Sequence, residues 1–199
     1  MSIETIQAKL DPHFLFNTLN SMVGLLSSGE SKKLMVGFKN LSLFLRSSLS
    51  TQLYVSLKDE LDMLESYFEV QKIRYQDSFE CTYSIEKEGL LNCVIPRFTI
   101  QPIVENCFVH AVALSSEKVS INIHVTTLKK KDLCISISNS GHCSINDIER
   151  IKNSLKTKTL GKNQGVGLSL INKELKILYG NKYGLRIGKI SDDFFEILI

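Results

Sequence analysis

The hydrophobic period changes once along this chain, near Tyr75, and that change limits the folds open to it. Before it, Leu34, Phe38, Leu41, Leu45 and Leu49 recur at spacings of three or four, the mark of one face of an amphipathic helix. The stretch Ser27-Ser28-Gly29-Glu30-Ser31 reads as a loop that separates this helix from an earlier one. Ser56 with Asp59 forms a capping-box pattern that opens a third helix, carrying Leu57, Leu61, Leu64 and Phe68. After Tyr75 the apolar residues alternate. Segments 79–85, 119–128, 133–139, 183–190 and 194–199 read as strands. Helices are expected at about 98–113 and 166–179, the second closed by Gly180. The predicted class is α+β: a helical region over 1–75, then a mixed α/β layer over 76–199 with helices on one sheet face.

Composition narrows the function. Lys plus Arg is 24 and Asp plus Glu is 21, a net charge of +3, too small to argue a nucleic-acid surface. Five cysteines (Cys81, Cys93, Cys107, Cys134, Cys143) form an odd, scattered set without a CxxC pair. Neither a disulfide framework nor a zinc site is expected, and a reducing compartment is. No apolar run reaches the roughly 18 to 20 residues that span a bilayer. The N-terminus lacks the apolar core of a signal peptide.

Two segments carry chemistry. In Leu10-Asp11-Pro12-His13-Phe14-Leu15-Phe16-Asn17-Thr18-Leu19-Asn20, an apolar stripe of Leu15, Leu19, Met22 and Leu26 leaves His13 pointing to solvent. Asn17 and Asn20 follow at i+4 and i+7 and share its face. Pro12 is expected to kink the chain just before His13. Imidazole keeps a neutral fraction near pH 7, so a ring nitrogen offers a lone pair that can attack phosphorus. Taken alone, the segment also fits a surface histidine on a helix.

The second segment is Pro96-Arg97-Phe98-Thr99-Ile100-Gln101-Pro102-Ile103-Val104-Glu105-Asn106-Cys107-Phe108-Val109-His110. Ile100, Ile103, Val104, Cys107 and Ala111 make a buried face, which puts Glu105, Asn106 and His110 on the other side. An Asn oxygen is a hard ligand suited to Mg²⁺. Glu105 is either a general base or a solvated charge. Asn139-Ser140-Gly141 ends a strand, where a side chain can meet a purine edge. Gly165-Val166-Gly167-Leu168 opens a helix, where glycines let backbone amides approach phosphate. A GxG pair is also what a plain turn uses.

Taken together, these residues resemble the LytS-type family of sensor histidine kinases, whose phosphoacceptor motif reads closely as Pro12 to Asn20 does here. The resemblance continues through Tyr67 to Arg74, Gln101 to Asn106 and Gly165 to Gly180, and covers nearly the whole chain. It implies a helical hairpin that dimerises into a four-helix bundle, followed by an α/β sandwich of Bergerat ATPase type. It implies ATP as substrate, with Mg²⁺ held by Asn106 and phosphate accepted by His13. His110, Asn139, Gly141, Gly165 and Gly167 would shape the nucleotide pocket, and the Gly141 to Gly165 segment would be its lid. The implied partners are a second copy and the receiver domain of a response regulator. The implied setting is the cytoplasmic part of a membrane-anchored receptor, the membrane being met only through an upstream region. The family's adenine-reading Asp is Asn139 here, and glycines of the family are replaced by Cys143 and Ala111, which predicts weakened nucleotide binding. A dimerising signalling scaffold with a degenerate nucleotide site is the competing expectation. An ATPase of the chaperone or topoisomerase kind is disfavoured by the His13 segment.

Overall fold

The computed structural model describes residues 12–129, 131–141, 145–156, 166–191 and 194–199. It divides into two compact units: residues 1–77 with Val94–Phe98, and Ser78–Cys93 with Thr99–Ile199.

The first unit holds α1 (Pro12–Ser27), α2 (Ser31–Ser48) and α3 (Leu57–Tyr75), with a two-stranded antiparallel ribbon of β1 (Tyr54–Ser56) and β3 (Val94–Pro96). Pro12 opens α1, where its missing N–H costs nothing; the kink expected before His13 concerns residues outside those described. Gly29, at φ +75, turns the chain from α1 into α2. The capping box is present: Asp59 N–H donates to Ser56 Oγ at 3.1 Å, and Ser56 N–H to Asp59 Oδ2 at 3.3 Å. Phe14, Phe44, Tyr67 and Phe68 form an aromatic core, with Phe14 stacked on Tyr67 at 5.4 Å and edge-on to Phe44 at 5.5 Å. At Gly37 a Cβ would lie 2.2 Å from Ile73 Cδ1, so glycine is what lets α2 lie this close to α3.

The buried face of α1 is Phe14, Thr18 and Met22. The expected stripe of Leu15, Leu19, Met22 and Leu26 is corrected here: Met22 alone of the four is buried, and Leu19 and Leu26 are 44% and 64% exposed. The aromatic ring of Phe14 takes the interior place. On α2 likewise, Leu41 and Phe44 are buried while Phe38 and Leu49 are exposed.

In the second unit a five-stranded sheet has the order β2 (Phe79–Ile85), β4 (Val119–Leu128), β5 (Asp132–Ser140), β7 (Phe194–Leu198), β6 (Arg186–Ser191). The β2–β4 pair is parallel and the others antiparallel. Along β4 the side chains of Val119, Ile121, Ile123 and Val125 are buried and those between them are not, as a sheet covered on one face requires. The helices are α4 (Gln101–Cys107), continued by a π turn over Phe108–Val112, then α5 (Ile145–Lys156) and α6 (Val166–Tyr179). The expected helix at 98–113 starts three residues late because Phe98 has φ +62, outside helical space. Its buried face is the expected one, with Ile100, Ile103, Val104, Cys107 and Ala111 all buried. Gly180, at φ +96, closes α6 as expected. Helix α5 falls in the stretch expected to be a lid; its repeat of Ile145, Ile148, Ile151 and Leu155 is the signal that marks it.

Candidate functional site

His13 is the second residue of α1 and is exposed. Burial of Phe14 settles this, because neighbouring side chains on a helix point about 100° apart. One turn on, the Asn17 amide nitrogen lies 3.1 Å from both Nδ1 and Nε2 of the imidazole, placed to donate to whichever carries the lone pair. Asn20 is exposed on the same side. What the sequence reading missed is the packing of the residue next to this histidine. Phe14 stacks on Tyr67, whose hydroxyl accepts a 2.6 Å hydrogen bond from buried Gln71.

The second group of residues gathers around α4. Its buried stripe packs against β5 and α6, which turns Glu105 and Asn106 to the half-buried side. The Asn106 amide nitrogen donates to the Pro102 carbonyl at 2.6 Å, so its oxygen is the atom left for a ligand. Glu105 accepts a 2.8 Å bond from buried Gln101, a positioning contact that the sequence did not announce. His110 lies in the π turn, half-buried; the N–H of Ala113 reaches back five residues to the Phe108 carbonyl at 2.8 Å. Such turns recur at functional sites because they shift the helix phase by one residue.

Asn139 sits near the end of β5, buried, its amide nitrogen donating to the Ser140 carbonyl at 3.0 Å. Gly141 follows at φ +105, and a Cβ there would lie 3.6 Å from Ala111, next to His110. From the other side Gly167 of α6 meets Pro102, at 3.5 Å for a Cβ. Asn106, His110, Asn139, Gly141 and Gly167 are thereby collected around one short helix. Gly165 and Cys143 lie outside the described residues. Asn172, also missed in the sequence, braces α6: it donates to the Leu155 carbonyl at 2.9 Å and accepts from Leu185 N–H at 3.0 Å. Among the described residues no three His, Cys, Asp or Glu side chains form a metal cluster.

Residues 1–79 match the family model described as Histidine kinase. The chain is 28% identical over 198 residues to the sensor histidine kinase YesM of Bacillus subtilis, covering 99% of this chain and 32% of that protein. It is 31% identical to the sensor protein LytS of Streptococcus agalactiae over 90% of this chain and 30% of that one. It is 30% identical to the sensor histidine kinase YpdA of Escherichia coli over 95% and 32%. The fold is that of the histidine kinase domain of the blue-light activated kinase EL346 from Erythrobacter litoralis, at a TM-score of 0.51 and 11% identity over 97% of this chain and 88% of that one. Sequence similarity to sensor histidine kinases thus extends over nearly the whole chain. The chain spans about a third of the length of the curated relatives it matches.

The two glycines make opposite predictions. Gly141→Ala forces a side chain into left-handed space and lowers stability by about 1–3 kcal/mol. Gly167→Ala meets Pro102 at ordinary contact distance and, as a better helix former, raises stability by up to about 1 kcal/mol. Urea unfolding of both variants checks the pair.

Proposed function

We propose that this chain is the cytoplasmic core of a two-component sensor histidine kinase, which takes the γ-phosphoryl group of ATP onto His13 and passes it to an Asp of a response-regulator receiver domain. The observation that carries the reading is the exposed His13 imidazole, within hydrogen-bond reach of Asn17 one turn on and next in sequence to the buried Phe14. Residues 1–75 then serve dimerisation and phosphotransfer, and residues 76–199 bind the nucleotide.

In the transfer, the lone pair of one His13 nitrogen forms a bond to the γ-phosphorus while the bond from that phosphorus to the β–γ bridging oxygen breaks, and ADP leaves. The ring's other N–H proton must then go to a base, the role proposed for Glu105, whose orientation Gln101 fixes. Mg²⁺, when bound, neutralises charge that develops on the phosphates. The donor fits such an ion: Asn106 would offer it a hard amide oxygen, its amide nitrogen being turned to the Pro102 carbonyl. Gly141, Gly165, Gly167 and His110 line the nucleotide in this reading, with Asn139 at the adenine edge.

Helix α1 supports a homodimer. Phe16, Leu19, Val23 and Leu26 repeat at three, four and three residues and are 44% to 68% exposed. A second copy is the proposed cover, as in a four-helix bundle. No helix among the described residues is long and apolar enough to cross a membrane. The competing reading, a signalling scaffold with a degenerate nucleotide site, is favoured by Asn139 alone.

Incubation with labelled ATP and Mg²⁺ is expected to give acid-labile, base-stable label on the wild type. His13→Gln removes it while the circular dichroism spectrum is kept; label persisting on that variant overturns the assignment. Asn139→Asp restores a charge-assisted bond to the adenine amino group and tightens ATP about fivefold to tenfold by calorimetry. Absence of ATP binding in both forms favours the scaffold. Val23→Asp dissociates the dimer in light scattering without unfolding it, because this side chain is 61% exposed in the protomer. A wild type that stays monomeric at high concentration counts against the bundle.

A further inference from the structure

The chain leaves the sheet unit after Cys93, joins the helical unit over Val94–Phe98, and returns at Thr99, two residues before α4. Three sets of bonds hold that excursion. Strand β3 pairs with β1, and Arg97 N–H donates to the Leu53 carbonyl at 2.9 Å. The Arg97 guanidinium donates through Nη2 to the Ser47 carbonyl and, at 2.8 Å, to Ser47 Oγ, while its plane lies over the Phe98 ring at 5.2 Å. Ser47 is in the last turn of α2, where a cation is favoured, and its carbonyl also accepts from the Ser50 N–H at 3.1 Å. The N–H of Phe98 donates at 3.1 Å to Oε2 of Glu60, a carboxylate in the first turn of α3 that is only 1% exposed. Phe98 itself is a buried, bulky residue at φ +62. Backbone strain of this kind persists only where the surroundings over-determine it.

Neither Arg97 nor Glu60 belongs to the groups proposed to hold the nucleotide, all of which lie beyond Thr99. What these two residues do fix is the segment that runs straight into α4, the helix bearing Glu105 and Asn106. We infer that Arg97 and Glu60 are positioning residues: they fasten the lead-in of α4 to the end of α2 and the start of α3, so that the rate of phosphoryl transfer to His13 depends on them and nucleotide affinity does not. This rests on the kinase reading above.

The test is single-turnover labelling of the full 199-residue chain across ATP concentrations, with a separate calorimetric Kd for ATP. Arg97→Ala is expected to lower the saturating rate about tenfold, because misplacement of reacting groups costs rate steeply, with the Kd held within about twofold. Arg97→Lys, which keeps a donor for the Ser47 carbonyl, recovers part of the rate. Ser47→Ala, a substitution a helix accepts readily, removes one of the two guanidinium bonds and lowers the rate about threefold; it decides the matter if Arg97→Ala does not fold. A rate unchanged in Ser47→Ala and Arg97→Ala overturns the inference, as does a Kd that weakens in parallel with the rate. A wild type that takes no label overturns the kinase reading, and this inference with it.

Discussion

The placement of one phenylalanine organises the helical unit. Phe14 is buried against Phe44 and Tyr67, and a buried aromatic in such a cluster is worth about 1.5–3 kcal/mol in area alone, with about 0.5–1.5 more from ring geometry. With Phe14 inward, the rest of α1 has no rotational freedom. Thr18 and Met22 follow it into the core. His13, Asn17 and Asn20 then share a face roughly 120° away, and Phe16, Leu19, Val23 and Leu26 occupy the remaining third of the circumference at 100° per residue. The helix therefore has three faces: one for its own unit, one polar face with the imidazole, and one apolar face open to solvent in the protomer. The third explains the leucines that a folded monomer leaves uncovered, and it is where a second copy would bind.

This three-way division also explains what the sequence showed and what it hid. Apolar residues cover about half of the α1 circumference, so a single stripe through Leu15, Leu19, Met22 and Leu26 runs down the middle of that arc and averages two distinct faces. Periodicity recovers the helix and the exposure of His13, but it cannot split one arc into an internal contact and an open one, because both are made of the same residue types. In the sheet unit the alternation of β2 and β4 was legible because one face of each packs inward, and the stripe of α4 was legible residue by residue. The three-residue strands β1 and β3 were not, since three positions carry no period. Nor were Gln101 and Asn172, whose roles come from partners that only the fold brings near.

Phase also governs the second site. Burial of Ile100, Ile103, Val104 and Cys107 orients α4, and Phe108 and Ala111 continue that burial through the π turn. Ala111 thereby lies beside Gly141, where a Cβ would meet it at ordinary contact distance. Ala111 stands where the resemblance implies a glycine, and its methyl group has room, since even a Cβ at position 141 would lie 3.6 Å from it. The departure is thus absorbed by the packing. A side chain larger than alanine at 111 would press on Gly141, two residues beyond Asn139.

Asn139 is a different kind of departure. Its amide nitrogen is spent on the Ser140 carbonyl at 3.0 Å, an arrangement a carboxylate cannot make, since it has no proton to donate. In the free protein an Asp at this place would face a carbonyl oxygen from within a nearly closed site, and burying an uncompensated carboxylate is costly. The nucleotide's amino group, or a water it orders, would relieve that cost only on binding. A carboxylate here therefore trades stability of the empty pocket for affinity, and the amide does the reverse. It keeps the strand end hydrogen-bonded, and in the proposed reading its oxygen would remain for adenine. The amide at this place therefore favours the folded, empty state over the tightest hold on a ligand.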